Sequence, residues 1–422
     1  MKQSKIDFLL AWAVVLVVLP MPLIYTFNQG LVDSAANIRT YDYGILAYVW
    51  WLVIVYLSTR PKWIERFIPL PKMYMMHGLL AIIALLFATL HEQMSFTYHA
   101  PIRLTGDFAW YLSIFGIVYA VLFMSNWLID RIPLVMTTKN KLKFLLKHQV
   151  SVWVHRLHFV MIGLIWFHVH LIPRVTQLSN FLIIFDLYTL AAVASYVYVK
   201  LIRDTRKNSG ILVENRALDV KTQMITVRLG KFAPKYQAGD IYFIKIEGFS
   251  NEAHPFSVAS APKKDNRLVS FVIQNVGDYT QNINRIPLRS KVKLEGPFGQ
   301  FDKLIRGLPD DQPIILYGLG SGAAPMLSLA QQFHEKSIHV IWSARRDSRL
   351  YLDNEFKPID VQYTSKNGRF SPEELSQVLT ASEIKNGIFI IVGGSATVLR
   401  VRKMLKKIGV NNARLIDERL IM

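Results

Sequence analysis

The sequence predicts a membrane bundle of six α-helices joined to a soluble module made of an antiparallel β-barrel or sandwich and a doubly wound α/β domain. Three observations predict it. The 422 residues are 52% hydrophobic, and the mean hydropathy of +0.26 is too apolar for a soluble chain of this size. The long apolar runs all fall in the first half. From about residue 210 they give way to short alternating segments, and from about 312 to apolar strands separated by helical stretches.

Six segments, roughly 6–27, 43–59, 73–93, 108–129, 151–172 and 178–199, can each cross a hydrocarbon core of about 30 Å. The first follows a basic start, as a secretory leader would. It is long and lacks a clear small-residue cleavage site, so it reads as a retained membrane helix kinked near Pro20 and Pro22. Basic loops alternate with nearly neutral ones. One side holds Lys2 and Lys5, then Arg60, Lys62, Arg66 and Lys72, then Arg131, Lys139, Lys141, Lys143 and Lys147. The other holds Arg39, Arg103 and Arg174. The positive-inside rule then puts both termini in the cytoplasm of a multi-pass protein of the cell membrane. Lys200, Arg203, Arg206 and Lys207 form a basic exit at the inner surface.

The strands expected beyond are Gln223–Leu229, Ile241–Ile246 and Leu268–Gln274 in the antiparallel part. Pro313–Tyr317, His339–Ser343 and Ile388–Val392 read as buried parallel strands. This divides the chain into 1–207, 208–308 and 309–422.

Composition excludes several classes. There is no cysteine, hence no disulfide, zinc–thiolate site, iron–sulfur cluster or cysteine nucleophile in this chain. The net charge of +19 fits basic loops facing anionic lipid, and no nucleic-acid-binding motif accompanies it.

Eight of the 11 histidines lie in the first 210 residues, and an ionisable residue inside a membrane helix is a functional-site hypothesis by default. His77 and His91 on segment three are 14 apart, about 21 Å along a helix and only about 40° apart around it. His155 and His168 on segment five are 13 apart, about 20 Å. The two segments run the same way, so His77 can meet His155 and His91 can meet His168, each pair ligating one haem iron with neutral imidazoles. Thirteen residues on a straight helix leave the side chains about 140° apart, whereas His155 and His170 would be about 60° apart. Spacing alone therefore leaves His158 and His170 in competition on this segment. Asp186, within segment six, has no assigned role.

In the soluble half, His254-Pro255-Phe256-Ser257-Val258-Ala259-Ser260-Ala261-Pro262 offers a ring, a hydroxyl and backbone groups to a flat heterocycle. Gly277-Asp278-Tyr279-Thr280 offers a glycine turn and a hydroxyl at a helix start, suited to a pyrophosphate. Gly318-Leu319-Gly320-Ser321-Gly322-Ala323-Ala324-Pro325 lies between a strand and a helix, where glycines let the backbone approach phosphate.

In motif order and spacing, nearly the whole chain resembles the NADPH oxidase and ferric reductase transmembrane family, bacterial members included. That family has a six-helix domain with two bis-histidine haems spaced 14 and 13 on helices three and five, then a ferredoxin-reductase-like module. The resemblance implies b-type haems on His77 with His155 and on His91 with His168. It implies FAD on His254–Pro262 and Gly277–Thr280, and NAD(P)H on Gly318–Pro325 with Gly393 near the nicotinamide. Three departures concern docking details. Val392-Gly393-Gly394 stands where the family carries Cys-Gly-Pro, Leu420 stands where it carries a terminal aromatic, and Gln274 stands where an arginine is frequent.

The activity so implied is transfer of electrons from cytosolic NAD(P)H through FAD and two haems across the bilayer. His254 and Ser257 would line the reacting face of the flavin, with Ser257 near its N5. Arg345 and Arg346, after the second α/β strand, suit a 2′-phosphate and favour NADPH over NADH. The acceptor expected first is oxygen, giving superoxide, with ferric iron or another outside acceptor as the alternative. Arg103, His99 and Arg174 are candidates to attract an anion or chelate there. A different class, a haem-binding membrane anchor of a partner enzyme, leaves the attached flavin and nucleotide motifs unused. No obligatory protein partner is evident.

Overall fold

Pro20 and Pro22 dictate the shape of the first span. In the computed structural model, α1 (Lys2–Ala13) passes into a π-helical turn, Val14–Val18, and restarts as α2 (Met21–Gly30). Leu19 donates its amide to the Val14 carbonyl at 2.9 Å, and Pro20 has no N–H to offer the Val15 carbonyl. The Trp50 indole fills that gap, donating to Val15 O at 3.1 Å. Tyr188 likewise donates to Leu19 O at 3.0 Å. Two neighbouring helices thus satisfy the carbonyls that the kink frees, as an apolar environment demands.

The structure describes residues 2–65, 67–123, 148–202, 209–249, 253–263, 267–275, 280, 282–344 and 349–420. The end of the fourth predicted span and the basic residues Arg66, Arg131, Lys139, Lys141, Lys143, Lys147, Arg203, Arg206 and Lys207 lie outside them. So do Gly277, Tyr279, Arg345 and Arg346.

The chain forms two compact units, Met1–Arg203 and Asp204–Met422. Among the described residues of the first, six helices are long and apolar enough to cross a bilayer: Ile6–Gly30, Ala35–Ser58, Leu70–Met94, Ala100–Phe123, Val150–His170 and Ser179–Lys200. The helices after α2 are α3 (Ala35–Ser58), the short α4 (Lys62–Glu65), α5 (Leu70–Met94), α6 (Ala100–Phe123), α7 (His148–Arg156), α8 (His158–His170), the short α9 (Pro173–Thr176) and α10 (Ser179–Val197). Helix α3 is the centre of the bundle, with Tyr48, Val49, Trp50, Trp51 and Leu52 all buried in succession. A helix apolar all round and buried all round sits among others, and α3 packs against both α5 and α10.

The fifth span differs from the single helix expected. It is interrupted at Leu157, between α7 and α8. The His158 ring donates from Nδ1 to the His155 carbonyl at 2.7 Å. In an unbroken helix that carbonyl would serve the amide four residues on.

The described residues of the second unit form two sheets. Strands β1 (Ser209–Ala217), β2 (Thr222–Leu229), β3 (Ile241–Ile246), β4 (His254–Ser257), β5 (Leu268–Gln274) and β6 (Lys291–Phe298) form an antiparallel sheet in the order β4-β3-β6-β1-β2-β5. A bridge between Val258 and Phe271 joins its two ends, so the sheet closes as a barrel and leaves little free edge. Its interior is Leu212, Ile225, Val227, Tyr242, Ile244, Phe271 and Val292, among others.

Strands β7 (Ile314–Leu319), β8 (Ile338–Ala344), β9 (Gln362–Asn367), β10 (Ile388–Gly394) and β11 (Leu415–Leu420) form a parallel sheet in the order β11-β10-β7-β8-β9. Its central strand is buried throughout. Ile314 and Leu316 pack with Met326 and Leu327 of the helix Ala323–Gln332. Ile315 and Tyr317 pack with Val401 and Leu405 of the helix Ser395–Lys407 on the other face. Both faces being covered explains why β7 reads as a continuous apolar run. The order reverses at β7, with β8 on one side and β10 on the other, and ligands bind at the carboxyl ends of strands beside such a reversal.

Candidate functional site

The membrane unit brings the four selected histidines together in pairs. The rings of His77 and His155 lie 6.0 Å apart, centre to centre, inclined at 42°. Those of His91 and His168 lie 6.4 Å apart at 90°. A metal–imidazole bond of about 2.0–2.1 Å plus about 1.1 Å from ring nitrogen to ring centre would put two imidazoles on one metal roughly 6.2–6.4 Å apart. The 6.4 Å pair falls in that range and the 6.0 Å pair lies 0.2 Å below it. Among the described residues no three His, Asp or Glu side chains gather as a metal cluster. A haem needs only two axial ligands from the protein.

Helical glycines make room for these rings. A Cβ on Gly44 of α3 would lie 3.0 Å from His91 Nδ1, and one on Gly106 of α6 would lie 3.1 Å from His168 Cε1. Backbone carbonyls orient them. His91 Nδ1 donates to Thr40 O at 2.7 Å. His168 Nδ1 donates to Ile102 O at 2.9 Å. An Nδ1–H engaged in this way leaves Nε2 as the free lone pair, and tying down one ring nitrogen is how a metal-binding histidine is held in orientation. Sequence reasoning missed Gly44, Gly106 and these carbonyls. Glycine inside a membrane helix was the available signal.

The two competing histidines have other surroundings. His158 donates from Nδ1 to His155 O, and its Nε2 edge lies against α6 at Gly116, where a Cβ would be 2.8 Å away. His170 Nδ1 donates to Trp166 O at 2.8 Å, and its Nε2 lies 3.4 Å from Asp186. Asp186 also accepts from the Trp166 indole at 2.7 Å, which gives that residue a partner. Arg174, a candidate anion-attracting residue, is paired with Asp33 at 2.7 Å.

In the second unit, β4 carries His254–Ser257 with Ser257 opposite Ile241 and His254 opposite Ile244. Pro255 is exposed, and His254, Phe256 and Ser257 are half-buried. The next residues turn inward. Val258 and Ala259 are buried, and their amides donate to Asp240 O and Ser270 O at 2.7 and 2.8 Å. The Ser260 hydroxyl oxygen accepts from the Ser270 amide at 2.9 Å, and its carbonyl accepts from Ser328 at 2.8 Å. Of the stretch named from sequence, Phe256 packs against the barrel core, and Ala261 and Pro262 are half-buried like His254 and Ser257. Thr280 is buried and precedes a 3₁₀ turn, Ile283–Arg285, rather than the helix start expected.

The glycine turn Gly318–Gly322 ends β7 at the sheet reversal. Gly320 has φ +61° and open space where a Cβ would point, a conformation that glycine adopts without strain. A Cβ on Gly322 would collide with Val392 O, and one on Gly318 would lie 2.7 Å from Ala323 Cα. The turn is therefore held against β10, beside Gly393, whose own Cβ would meet Leu319 at 2.6 Å. Pro325 is buried in the first turn of the helix that follows. Leu420 pairs with Gly394 at the same end of the sheet.

Residues 212–314 match the FAD-binding domain family. The chain is 24% identical over 277 residues to a heavy chain of the superoxide-generating NADPH oxidase of Dictyostelium discoideum, covering 56% of this chain and 51% of that one. It is 27% identical over 164 residues to the putative respiratory burst oxidase homolog protein G of Arabidopsis thaliana, covering 34% of this chain and 19% of that one. The chain thus spans about half or less of the length of these curated relatives. The flavohem-like FAD/NAD binding domain of nitric oxide dioxygenase from Vibrio cholerae O1 biovar El Tor overlays with a TM-score of 0.43 at 17% identity, over 50% of this chain and 98% of that one. The Dictyostelium match covers more residues than Asp204–Met422 contains, so it extends into the helical unit. With six apolar helices and an FAD-binding domain in one chain, these likenesses make it similar to the NADPH oxidase-like ferric reductases.

Proposed function

We propose that this protein moves electrons from cytosolic NAD(P)H, through FAD and two b-type haems, to oxygen on the opposite side of the cell membrane, giving superoxide. The observation that carries this reading is the pair of facing imidazoles at 6.0 and 6.4 Å, one set on each of two levels of the same helices. Residues 1–207 would hold the haems on His77 with His155 and His91 with His168. Residues 208–308 would hold FAD, and 309–422 the nucleotide. When bound, the flavin accepts hydride from nicotinamide and releases electrons singly, which haem iron can carry.

The chain's own groups order and tune these cofactors. His254–Ser257 present a ring, an exposed proline and a hydroxyl to one face of the flavin, with Ser257 placed to bond a ring nitrogen. Gly277, Tyr279 and Thr280 complete the flavin site. The Gly318–Gly322 turn offers backbone amides to a pyrophosphate at the start of a helix, where the dipole favours an anion. Arg345 and Arg346 accommodate the 2′-phosphate of NADPH. The alternation of basic and neutral loops supports cytoplasmic termini, and oxygen as acceptor is supported by the name of the Dictyostelium relative.

The test uses purified protein in detergent. A pyridine haemochrome assay is expected to give about two haems per chain, and NADPH is expected to drive cytochrome c reduction that superoxide dismutase suppresses. One haem or none sinks the four-histidine assignment. Reduction of a ferric chelate without superoxide overturns oxygen as the acceptor.

A further inference from the structure

The two histidine pairs are positioned differently. His91 and His168 are each bonded to a backbone carbonyl of a neighbouring helix, at Thr40 and Ile102. The Nδ1 of His155 is buried with no hydrogen-bond partner. Nothing of the kind used for His91 and His168 steadies this ring. It also faces the harder geometric problem, because a straight helix would turn it about 140° away from His168.

His158 answers both problems. Its Nδ1 donates to the His155 carbonyl at 2.7 Å, and the helix breaks at Leu157 between them. The two halves of the span therefore need not keep the rotation of one straight helix, and His155 can face His77 while His168 faces His91. The His158 ring lies 5.0 Å from the His155 ring at 56°. It is seated on α6 at Gly116, where a Cβ would lie 2.5 Å from His158 Cε1 and 2.8 Å from Nε2. A glycine without a side chain is what allows the ring to lie there.

We propose that His158 is the positioning residue of the His77–His155 centre: it holds the break in the fifth span and backs the His155 ring, without itself being a ligand. The inference rests on the bis-histidine reading of the four membrane histidines.

The test compares three variants of the full-length protein with the parent by haem content, redox titration and low-temperature electron paramagnetic resonance. His158→Phe keeps a ring but loses the donor. It is expected to change the signature of one centre or lower haem content from about two per chain toward one, leaving the other centre's signature unchanged. His158→Asn keeps a donor near the Nδ1 position and is expected to retain both haems and both signatures. Gly116→Ala keeps the donor but crowds the ring, and is expected to disturb the same centre as His158→Phe. Flavin reduction by NADPH and the undisturbed second centre report that each variant is folded. Loss of haem in His158→Asn equal to that in His158→Phe would make His158 a ligand and overturn the proposal. Two unchanged signatures in His158→Phe would overturn it as well. A parent protein without haem defeats the bis-histidine reading itself, and this inference with it.

Discussion

The two units build their candidate sites from opposite materials. In the helical unit the binding groups are side chains, and glycines serve as empty space for rings: Gly44 for His91, Gly106 for His168, Gly116 for His158. In the second unit the binding groups are largely backbone, and glycines bring main chain against main chain: Gly322 against Val392 O, Gly318 against Ala323 Cα. The membrane explains the difference. A helix in hydrocarbon has every interior backbone group engaged, so only side chains remain to hold a cofactor. A strand-to-helix turn in water has free amides to offer an anion. Substitutions in the two units should therefore fail in different ways.

The largest effect belongs to the side-chain site. His168→Ala should reduce haem content from about two per chain to about one, while NADPH still bleaches the flavin at the parental rate in stopped flow. Should His170→Ala do this instead, the choice of ligand on the fifth span is wrong.

Next is the backbone site. Gly322→Ala must displace Val392, a core strand residue, at a cost of about 1–3 kcal/mol by analogy with overpacked cores. Flavin reduction by NADPH should fall and the melting temperature of the soluble unit should drop, with haem content untouched. Parental nucleotide kinetics would show that the turn does not serve the nucleotide.

Gly106→Ala sharpens the comparison at smaller scale. Its Cβ would meet only the edge of a ring at 3.1 Å, so the ring can give by a few tenths of an ångström. Both haems should stay bound, with a shifted midpoint potential for one of them. Two unchanged potentials would remove the crowding argument.

A smaller effect lies toward the end of the parallel sheet opposite the glycine turn, in the buried pair His339–Glu383 at 2.8 Å. Burial pushes the Glu383 carboxyl up, but hydrogen bonds from His339 and Thr380 outweigh it and leave it below its ordinary value of 4.5. A lowered folded-state value means stability present above pH 4.5 and lost as the pH falls through the folded value. Glu383→Gln should flatten that acid-side loss in thermal melts of residues 210–422. An equally steep loss in the variant would assign it to other carboxylates.

The smallest expected change is at Leu420. It ends β11 beside Gly394, at the sheet end that carries the glycine turn. Leu420→Trp should tighten FAD and slow hydride transfer, since an indole can stack on a flavin and leucine cannot. Unchanged FAD affinity and rate would place residue 420 away from the flavin.

Sequence by itself determined the six apolar spans, the kink at Pro20, most barrel and sheet strands, and the glycine turn between strand and helix. These are local properties: hydropathy, alternation of period two, and residues that lack an N–H or a Cβ. It also singled out the membrane histidines, because polar groups in an apolar run stand out at once. Sequence spacing could not choose between His155 and His158, since it assumes a straight helix and the fifth span is interrupted at Leu157. Nor could it reveal that Val258, Ala259 and Ser260 turn inward, which depends on the strand that closes the barrel. Only the tertiary structure decided that Gly44, Gly106 and Gly116 face histidines, because the ring each one admits belongs to a helix more than 40 residues away.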